Sequence, residues 1–305
     1  MAVSLHEVIS DYLLYLEMSD TRPNTLRNNK SSILGFAAWA ETNDTFPLND
    51  FSQIKPKHIR EYFHFRKVEQ GVGPGTRQQN HIHLTKLFDW AKREYKKVKK
   101  NPLHKVERPN YRPPRIEFPL EGVIDKMIAV CDTTSFKGIR DRLLITLLKE
   151  TGGRASEILA LEESDINEVE KYIYIRWGKG GNKRKVGYTE ETAIAIIAYK
   201  QVRETHPHAK SPKFFIGTKG ALKYCGLNDV VKGRSFEATG EETTAHKLRH
   251  AFVHLAKTLY VTEDALMEMM GWKTRAMLDR YALSMREERA LAEYRNKLHI
   301  HPESK

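Results

Sequence analysis

The stretch that decides the fold is TTAHKLRHAF, residues 243–252. The two threonines that open it are good N-cap residues, so a helix is predicted to begin directly after them. On that helix His246 and Arg249 lie three positions apart and share one face, which directs two polar groups to the same place. Such a pair is common by itself, and His250 or His254 could equally be the histidine that matters. Its meaning depends on the rest of the chain.

A further cation follows a Gly-Gly turn in TGGRASEI, residues 151–158. Arg154 is predicted at the start of a short helix, where the helix N-terminus and the guanidinium can face an anion together. Glu157 lies one turn later, where an exposed glutamate in a first helical turn is common.

A β-hairpin is predicted where two segments, Tyr172 to Trp177 and Lys185 to Tyr188, flank a glycine-rich turn. The glycines of WGKGGNKRKV, residues 177–186, let the backbone tighten and present Lys179 at the tip. Lys183 and Lys185 compete for any role that this lysine has.

The last block is MEMMGWKTRAMLDRYA, residues 267–282. Tyr281 ends its helical segment and would ordinarily be interpreted as a half-buried aromatic residue. Trp272 carries an indole N–H, which can only donate a hydrogen bond. Neither residue alone indicates a particular chemistry.

Taken in this order, the four blocks resemble the tyrosine recombinase or integrase family, the group that includes the Xer and Cre recombinases. RDRLLITLLKETGGRASEILAL, residues 140–161, resembles the family's first arginine block. The predicted hairpin resembles the lysine hairpin of the family, and TTAHKLRHAF resembles the family's His-x-x-Arg block. The block at residues 267–282 resembles the family's final block. The spacing of 23 positions from Arg249 to Trp272, and of 9 from there to Tyr281, is typical of the family. The resemblance covers nearly the whole length.

Three positions differ from the commonest family pattern. Gly153 stands where a large apolar residue is usual, and the hairpin has one glycine more than the common GKGxK form. The extra glycine keeps Lys183 open as an alternative to Lys179. Trp272 replaces the histidine of most members, as in Cre-like members, and its N–H can still donate to a phosphate oxygen.

The resemblance implies a site-specific recombinase that cuts and rejoins DNA strands without metal or ATP. The residues that match its catalytic set are Tyr281, Arg154, Lys179, His246, Arg249 and Trp272, with Glu157 behind them. The tyrosine would attack the scissile phosphate and form a 3′-phosphotyrosyl ester, while the two arginines would fork onto the non-bridging oxygens.

The remaining members of the set would handle protons. Lys179 would protonate the leaving 5′ oxygen, and His246 would assist proton removal from the tyrosine or hold the phosphate. Trp272 would donate the last hydrogen bond. No cofactor is expected, because the ester keeps the bond energy and the chain has no GxxxxGK[ST] loop.

Length and composition fit this interpretation. The chain has 305 residues, and domains average roughly 100 to 200 residues, so two are expected. Its net charge of +12 favours a polyanionic partner, here a double-stranded DNA site. Cys131 and Cys225 show no metal-ligand spacing, so no metal site is expected. With no apolar run near the ~18 residues of a membrane span and no signal peptide, a cytoplasmic location is expected.

The predicted fold is mainly α with a small antiparallel β-sheet in the catalytic domain, arranged as the two-domain DNA clamp of tyrosine recombinases. Residues 1–100 are predicted to form a helical core-binding, SAM-like domain. Residues 101–118 are predicted to form an extended, basic, Pro-rich linker, and residues 119–305 the catalytic domain with a C-terminal exchange tail. Four helices are predicted in the first domain, at about Leu5 to Met18, Asn24 to Glu41, Pro56 to Gln70 and Pro74 to Tyr95.

Polar helix faces and basic residues supply the candidate DNA contacts. From Lys92 to Arg115 there are ten basic residues and two acidic ones. Each polar set could also be a solvated helix face. The candidates are Arg27, Asn28, Lys30, Arg77, Gln78, Asn80, Lys96, Lys97, Lys99 and Lys100.

The tail after the tyrosine predicts an assembly. Glu287 to Leu298 can form a helix with one apolar stripe, made of Ala290, Leu291, Tyr294 and Leu298. The stripe could pack on its own domain, but the resemblance favours donation to a neighbour, which would join four protomers on two DNA sites. A type IB topoisomerase and a catalytically silent DNA-binding regulator are the alternative functions.

Overall fold

The computed structural model describes residues 2–19, 21–111, 122–177, 182–279, 281, 290–291, 293–295 and 298. The chain divides into two compact units, Met1–Pro114 and Arg115–Lys305. Among the described residues, none of the helices combines the length and the apolar character that a membrane span requires. The architecture is mostly helical with a small antiparallel sheet, as predicted.

Four helices build the first unit: α1 (Leu5–Met18), α2 (Pro23–Glu41), α3 (Pro56–Val68) and α4 (Pro74–Glu94). The apolar positions of α2 recur every three or four residues, so one face of the helix is buried. At the centre, the Phe36 ring of α2 lies 5.1 Å from the Tyr62 ring of α3 and 6.4 Å from the Phe88 ring of α4, centroid to centroid. Edge-on aromatic packing of this kind joins the helices into one core.

After α4 the chain turns back and packs along the same helix. Leu103 is buried in the core of the unit, and the Asn101 side-chain amide donates to the Thr85 carbonyl at 3.1 Å. Further on, the Gln78 amide donates to the Pro109 carbonyl at 3.1 Å. The first part of the predicted extended linker is therefore packed on the first unit, because it buries a leucine and satisfies backbone polar groups there. Residues 112–118 of that segment lie outside the described residues.

Seven labelled helices lie in the described part of the second unit: α5 (Val123–Ala129), α6 (Phe136–Thr151), α7 (Ala155–Ala160), α8 (Glu190–Glu204), α9 (Tyr224–Thr239), α10 (Ala245–Thr258) and α11 (Glu263–Met270). Residues 275–279 are also helical. The core includes Leu143, Leu144, Leu147 and Leu148 of α6, all fully buried. Helix α6 is thus the central support for the elements that follow it.

A three-stranded antiparallel sheet of order β1-β2-β3 is formed by β1 (Ile166–Asn167), β2 (Tyr172–Trp177) and β3 (Asn182–Gly187). Tyr172 pairs with Gly187 and Trp177 with Asn182, so the hairpin is present, and β3 begins three residues before the predicted segment. A two-stranded antiparallel ribbon is formed by β4 (Ile216–Gly217) and β5 (Gly220–Ala221).

Candidate active site

Arg154 is placed by the glycine turn between α6 and α7. Helix α6 ends at Gly152 in the left-handed conformation, φ +56°, where a Cβ would lie 2.4 Å from the Phe252 ring. A glycine is needed there because any side chain would meet both backbone strain and this ring. Gly153 follows, and Arg154 becomes the N-cap of α7. The departure from the family pattern at Gly153 also has a local reason, since a Cβ would lie 2.7 Å from Ile158.

Glu157 is buried and binds the cations around it. One carboxylate oxygen accepts from the Arg154 backbone N–H at 2.8 Å, and the other accepts from the Arg154 guanidinium at 2.7 Å. Arg184 of β3 donates to both oxygens, at 3.1 and 2.7 Å. Burial alone would raise the pKa of the Glu157 carboxyl, but the hydrogen bonds from Arg184 and Arg154 lower it below its ordinary value. The Glu157 carboxylate is therefore a charged anchor for the arginines around it.

Arg184 was not among the predicted site residues. It is 6% exposed and also donates through Nε to the Met269 carbonyl at 2.7 Å, which ties β3 to α11. Strand alternation could have indicated its inward direction, since Val186 on the same face is also buried. Its partner, Glu157, is 27 positions away and no local pattern reveals it.

Arg249 lies on α10, whose N-cap is Thr244, one of the two predicted caps. The side chain is 3% exposed and donates to the carbonyls of Gly152 and, at 3.2 Å, Met270. Burial and the charge of nearby Arg154 lower the pKa of Arg249 to about 10. The guanidinium therefore stays charged at neutral pH and is fixed by two backbone carbonyls.

These four side chains form a cationic cluster. Arg249 lies 4.0 Å from the Glu157 carboxylate, so the one anion contacts three guanidinium groups. Three positive charges and one negative charge leave a local excess of two positive charges. An excess of this size suits a phosphodiester, whose negative charge grows as a pentavalent phosphorane forms.

Tyr281 is buried beside this cluster. Its ring stacks on Trp272, with centroids 5.1 Å apart and planes 29° apart, and the Trp272 ring lies 5.9 Å from the Arg249 guanidinium carbon. Helix α11 ends at Gly271 in the left-handed conformation, which directs the chain into Trp272. Within the described part of the chain, the Trp272 indole N–H is buried without a hydrogen-bond partner. A donor that is free in this way can bind an incoming oxygen.

His250 contacts Tyr281 through a hydrogen bond. Its Nδ1 lies 2.7 Å from the Tyr281 hydroxyl oxygen, and its ring is buried. His246 is exposed one turn earlier on α10, and its ring centroid lies 4.1 Å from that of His250. The sequence favoured His246 and kept His250 open as an alternative; the structure places His250 at the tyrosine and His246 behind it.

Lys179 lies outside the described residues, so the structure leaves its role open. The two competing lysines lie on the face of the hairpin opposite Arg184. Lys183 Nζ is 5.1 Å from the centre of the Tyr174 ring, and Lys185 Nζ is 4.3 Å from that of Tyr172. Both side chains are exposed there and directed away from Glu157.

The predicted DNA-contacting residues of the first unit are mostly at its surface. Arg77 and Gln78 are half-buried, and both donate to backbone carbonyls, of Val72 and Pro109 respectively. The exposed members are Arg27, Asn28, Lys30, Lys96, Lys97, Lys99 and Lys100.

Asn80 differs from the prediction. It is 3% exposed, and its side-chain oxygen lies 3.5 Å from the Arg66 guanidinium. It shares the inward face of α4 with Leu84 and Leu87, one and two turns later, and therefore contributes to packing and is not available as a surface contact.

Comparison with known proteins gives a consistent result. The family model described as "phage integrase family" matches residues 120–288, more than half of the chain. The tyrosine recombinase XerC of Rhodospirillum centenum is 26% identical over 85% of this chain and 76% of its own length. The tyrosine recombinase XerD of Lacticaseibacillus casei is 25% identical over 81% of this chain and 84% of its own.

Solved structures share the fold. A lambda integrase dimer bound to a COC′ core site superposes with a TM-score of 0.72 at 18% identity, over 92% of this chain and 77% of that one. The XerH site-specific recombinase in a post-cleavage complex with a palindromic difH substrate also superposes with a TM-score of 0.72, at 20% identity. The match covers 88% of this chain and 79% of that one. The chain belongs to the phage integrase family and is a tyrosine recombinase.

Proposed function

We propose that this chain cuts and rejoins DNA at a specific site through a covalent ester between the 3′ phosphate and Tyr281. The observation that carries the proposal is the chain of contacts from the arginine cluster through the Trp272 ring to the ring of Tyr281. A nucleophile and a positively charged site therefore lie close together. Membership of the phage integrase family supports the same reaction.

In the proposed reaction the Tyr281 oxygen bonds to phosphorus as the bond from phosphorus to the 5′ oxygen breaks. The positive cluster of Arg154 and Arg249 stabilises the negative charge that develops on the non-bridging oxygens. The free indole N–H of Trp272 donates to one of them, and Lys179 gives its proton to the 5′ oxygen. No nucleotide is consumed, because the phosphotyrosyl ester keeps the energy of the broken bond. In the described part of the chain, no group of three or more His, Cys, Asp or Glu side chains could hold a metal ion.

Exposed basic residues of the first unit would bind the phosphates of the same duplex. The four lysines at positions 96, 97, 99 and 100 are all exposed and follow the end of α4. Phosphate contacts of this kind supply affinity without sequence information. Base reading is proposed for Arg77 and Gln78 near the start of α4, which would have to exchange their hydrogen bonds to backbone carbonyls for contacts with DNA. The partner is double-stranded DNA, and the chain would act in the cytoplasm, where its free cysteines stay reduced.

We also propose that four protomers assemble on two DNA sites through the tail. Leu291, Tyr294 and Leu298 of the predicted stripe are 48%, 62% and 49% exposed. An apolar stripe that stays exposed in the single chain suits docking on a second copy better than packing as the last core helix. A lambda integrase of the same fold forms a tetramer on a Holliday junction.

The test uses DNA recovered by nuclease protection with this protein. With that duplex, the wild-type chain should give an SDS-resistant adduct and recombine two sites, and Tyr281→Phe should bind equally well and give no adduct. Tyr260→Phe is the matched control, since Tyr260 is 84% exposed. Relaxation of supercoils without recombination would indicate a topoisomerase. Binding without any adduct would indicate a silent regulator.

A further inference from the structure

We propose that His250 is the proton acceptor of Tyr281, a role that rests on the DNA cleavage proposed above. Attack on phosphorus requires the phenolic oxygen to lose its proton, and the imidazole of His250 is in direct hydrogen-bond contact with that oxygen. The inference names a residue outside the set that the family resemblance assigned.

Tyr281 is held on one side by the hydrogen bond to His250 and on the other by the ring of Trp272. His250 Nδ1 and the Tyr281 oxygen are 2.7 Å apart, the distance of a well-formed hydrogen bond. The rings meet edge-on at 64°, with centroids 5.0 Å apart, while Trp272 stacks on the Tyr281 ring. Both His250 and Tyr281 are less than a tenth exposed. The phenol is thus held at the imidazole before any DNA binds.

The direction of transfer follows from ordinary acid strengths. A free phenol has a pKa of about 10 and a free imidazolium about 6.5, so in the resting pair the proton belongs to the phenol and Nδ1 accepts. As the oxygen bonds to phosphorus, the phenolic proton becomes far more acidic. It then passes to Nδ1 of His250, which becomes imidazolium.

The step balances over the whole reaction. In cleavage, the Tyr281 oxygen gains a bond to phosphorus, its proton moves to His250, and the 5′ oxygen leaves with a proton from a separate donor, proposed above as Lys179. In rejoining, a 5′ hydroxyl attacks phosphorus and returns its proton to that donor. The phosphotyrosyl bond breaks, and His250 gives the proton back to the Tyr281 oxygen.

His246 then has a different place. It is exposed and contacts the outer side of the pair through the His250 ring, 4.1 Å away between centroids. One helical turn separates the two histidines, so they share a face of α10, the buried one at the tyrosine and the exposed one toward solvent. His246 is therefore assigned to contact with the DNA phosphate. His250 is assigned to proton transfer.

Two substitutions separate proton transfer from positioning. His250→Asn keeps a hydrogen-bonding atom close to the position of Nδ1 but cannot take up a proton. Replacing Tyr281 by 3,5-difluorotyrosine gives a more acidic phenol that needs less help from a base. The measured quantity is the single-turnover rate of adduct formation on the nuclease-protected duplex, with His254→Asn, one turn further along α10, as the matched control.

His250→Asn should bind DNA normally and slow adduct formation about 100-fold or more. Difluorotyrosine at position 281 should recover most of that loss in the variant, whereas His254→Asn should react at the wild-type rate. An unchanged rate in His250→Asn would overturn the proposal. So would a loss that difluorotyrosine does not recover, because the histidine would then only position the tyrosine. If the wild-type chain itself gives no adduct, both the proposed function and this role are overturned.

Discussion

Glu157→Gln tests the cationic cluster most severely. The substitution keeps the shape of the side chain and removes the negative charge that, among the described residues, contacts Arg154, Arg184 and Arg249. Two of these guanidinium groups, Arg184 and Arg249, are less than a tenth exposed, so they would remain buried without a counter-charge. Breaking a buried ion pair from one side costs about 3–5 kcal/mol. That is a large part of the ~5–15 kcal/mol by which a native domain is stable.

The assay is unfolding in urea, with hydrogen exchange as the readout. Protection is measured separately for residues 2–111 and 122–177. Only the second group should lose protection early in Glu157→Gln. The matched control is Glu237→Gln, whose carboxylate pairs with Arg234 at 2.9 Å but is 53% exposed, so its loss should cost less than about 1 kcal/mol. Equal stability of the two variants would refute the view of Glu157 as the anchor of the arginines.

The difference in unfolding free energy between wild type and Glu157→Gln should depend on pH in a definite direction. The folded-state pKa of Glu157 lies below its ordinary value of 4.5, so its contribution is present above that value and is lost as the pH falls through the folded pKa. The stability gap between wild type and Glu157→Gln should therefore be full at neutral pH and shrink in acid. A gap that widens on acidification would contradict the assignment of a charged carboxylate.

Three further outcomes are expected. On a 5′-bridging phosphorothiolate substrate, whose sulfur leaves without a proton, Lys179→Ala should be rescued while staying slow on ordinary DNA; rescue of Lys183→Ala instead would move the acid to that residue. Charge reversal at Lys96, Lys97, Lys99 and Lys100 should lower the affinity for every DNA sequence and flatten the salt dependence of binding, whereas substitution of Arg77 or Gln78 should change which sequence is preferred. Truncation after Arg286 should leave a folded protein that binds one site but does not pair two; unfolding would instead show that the tail is a core helix.

Local sequence patterns were sufficient for the parts of the fold that depend on near neighbours. The period of α1 and α2 and the alternation of β2 predicted their bounds to within a residue, since each pattern repeats within one element. The burial of Asn80 was available from the same signal, because it is in phase with Leu84 and Leu87. Asn80 was interpreted as a DNA contact because it is polar, although its position in the helical repeat indicated packing in the core.

Contacts between distant segments could not be predicted in the same way. Arg184 meets Glu157 across 27 positions, and His250 meets Tyr281 across 31. The sequence shows only that such groups exist, because a strand or helix period gives the direction of a side chain and not the element that it meets. The family resemblance supplied part of that information for the arginines and the tyrosine, and none for His250 or Arg184.

The most direct measurement identifies the residue that carries the DNA. After reaction with the nuclease-protected duplex, nuclease and trypsin digestion should leave a phosphonucleotide on the peptide YALSMR, residues 281–286, which contains Tyr281 as its one tyrosine. Mass spectrometry should place the modification there, with the phosphate joined to a 3′ oxygen of the DNA. Modification of a peptide that contains Tyr260 or Tyr294, or linkage through a 5′ phosphate, would contradict the mechanism.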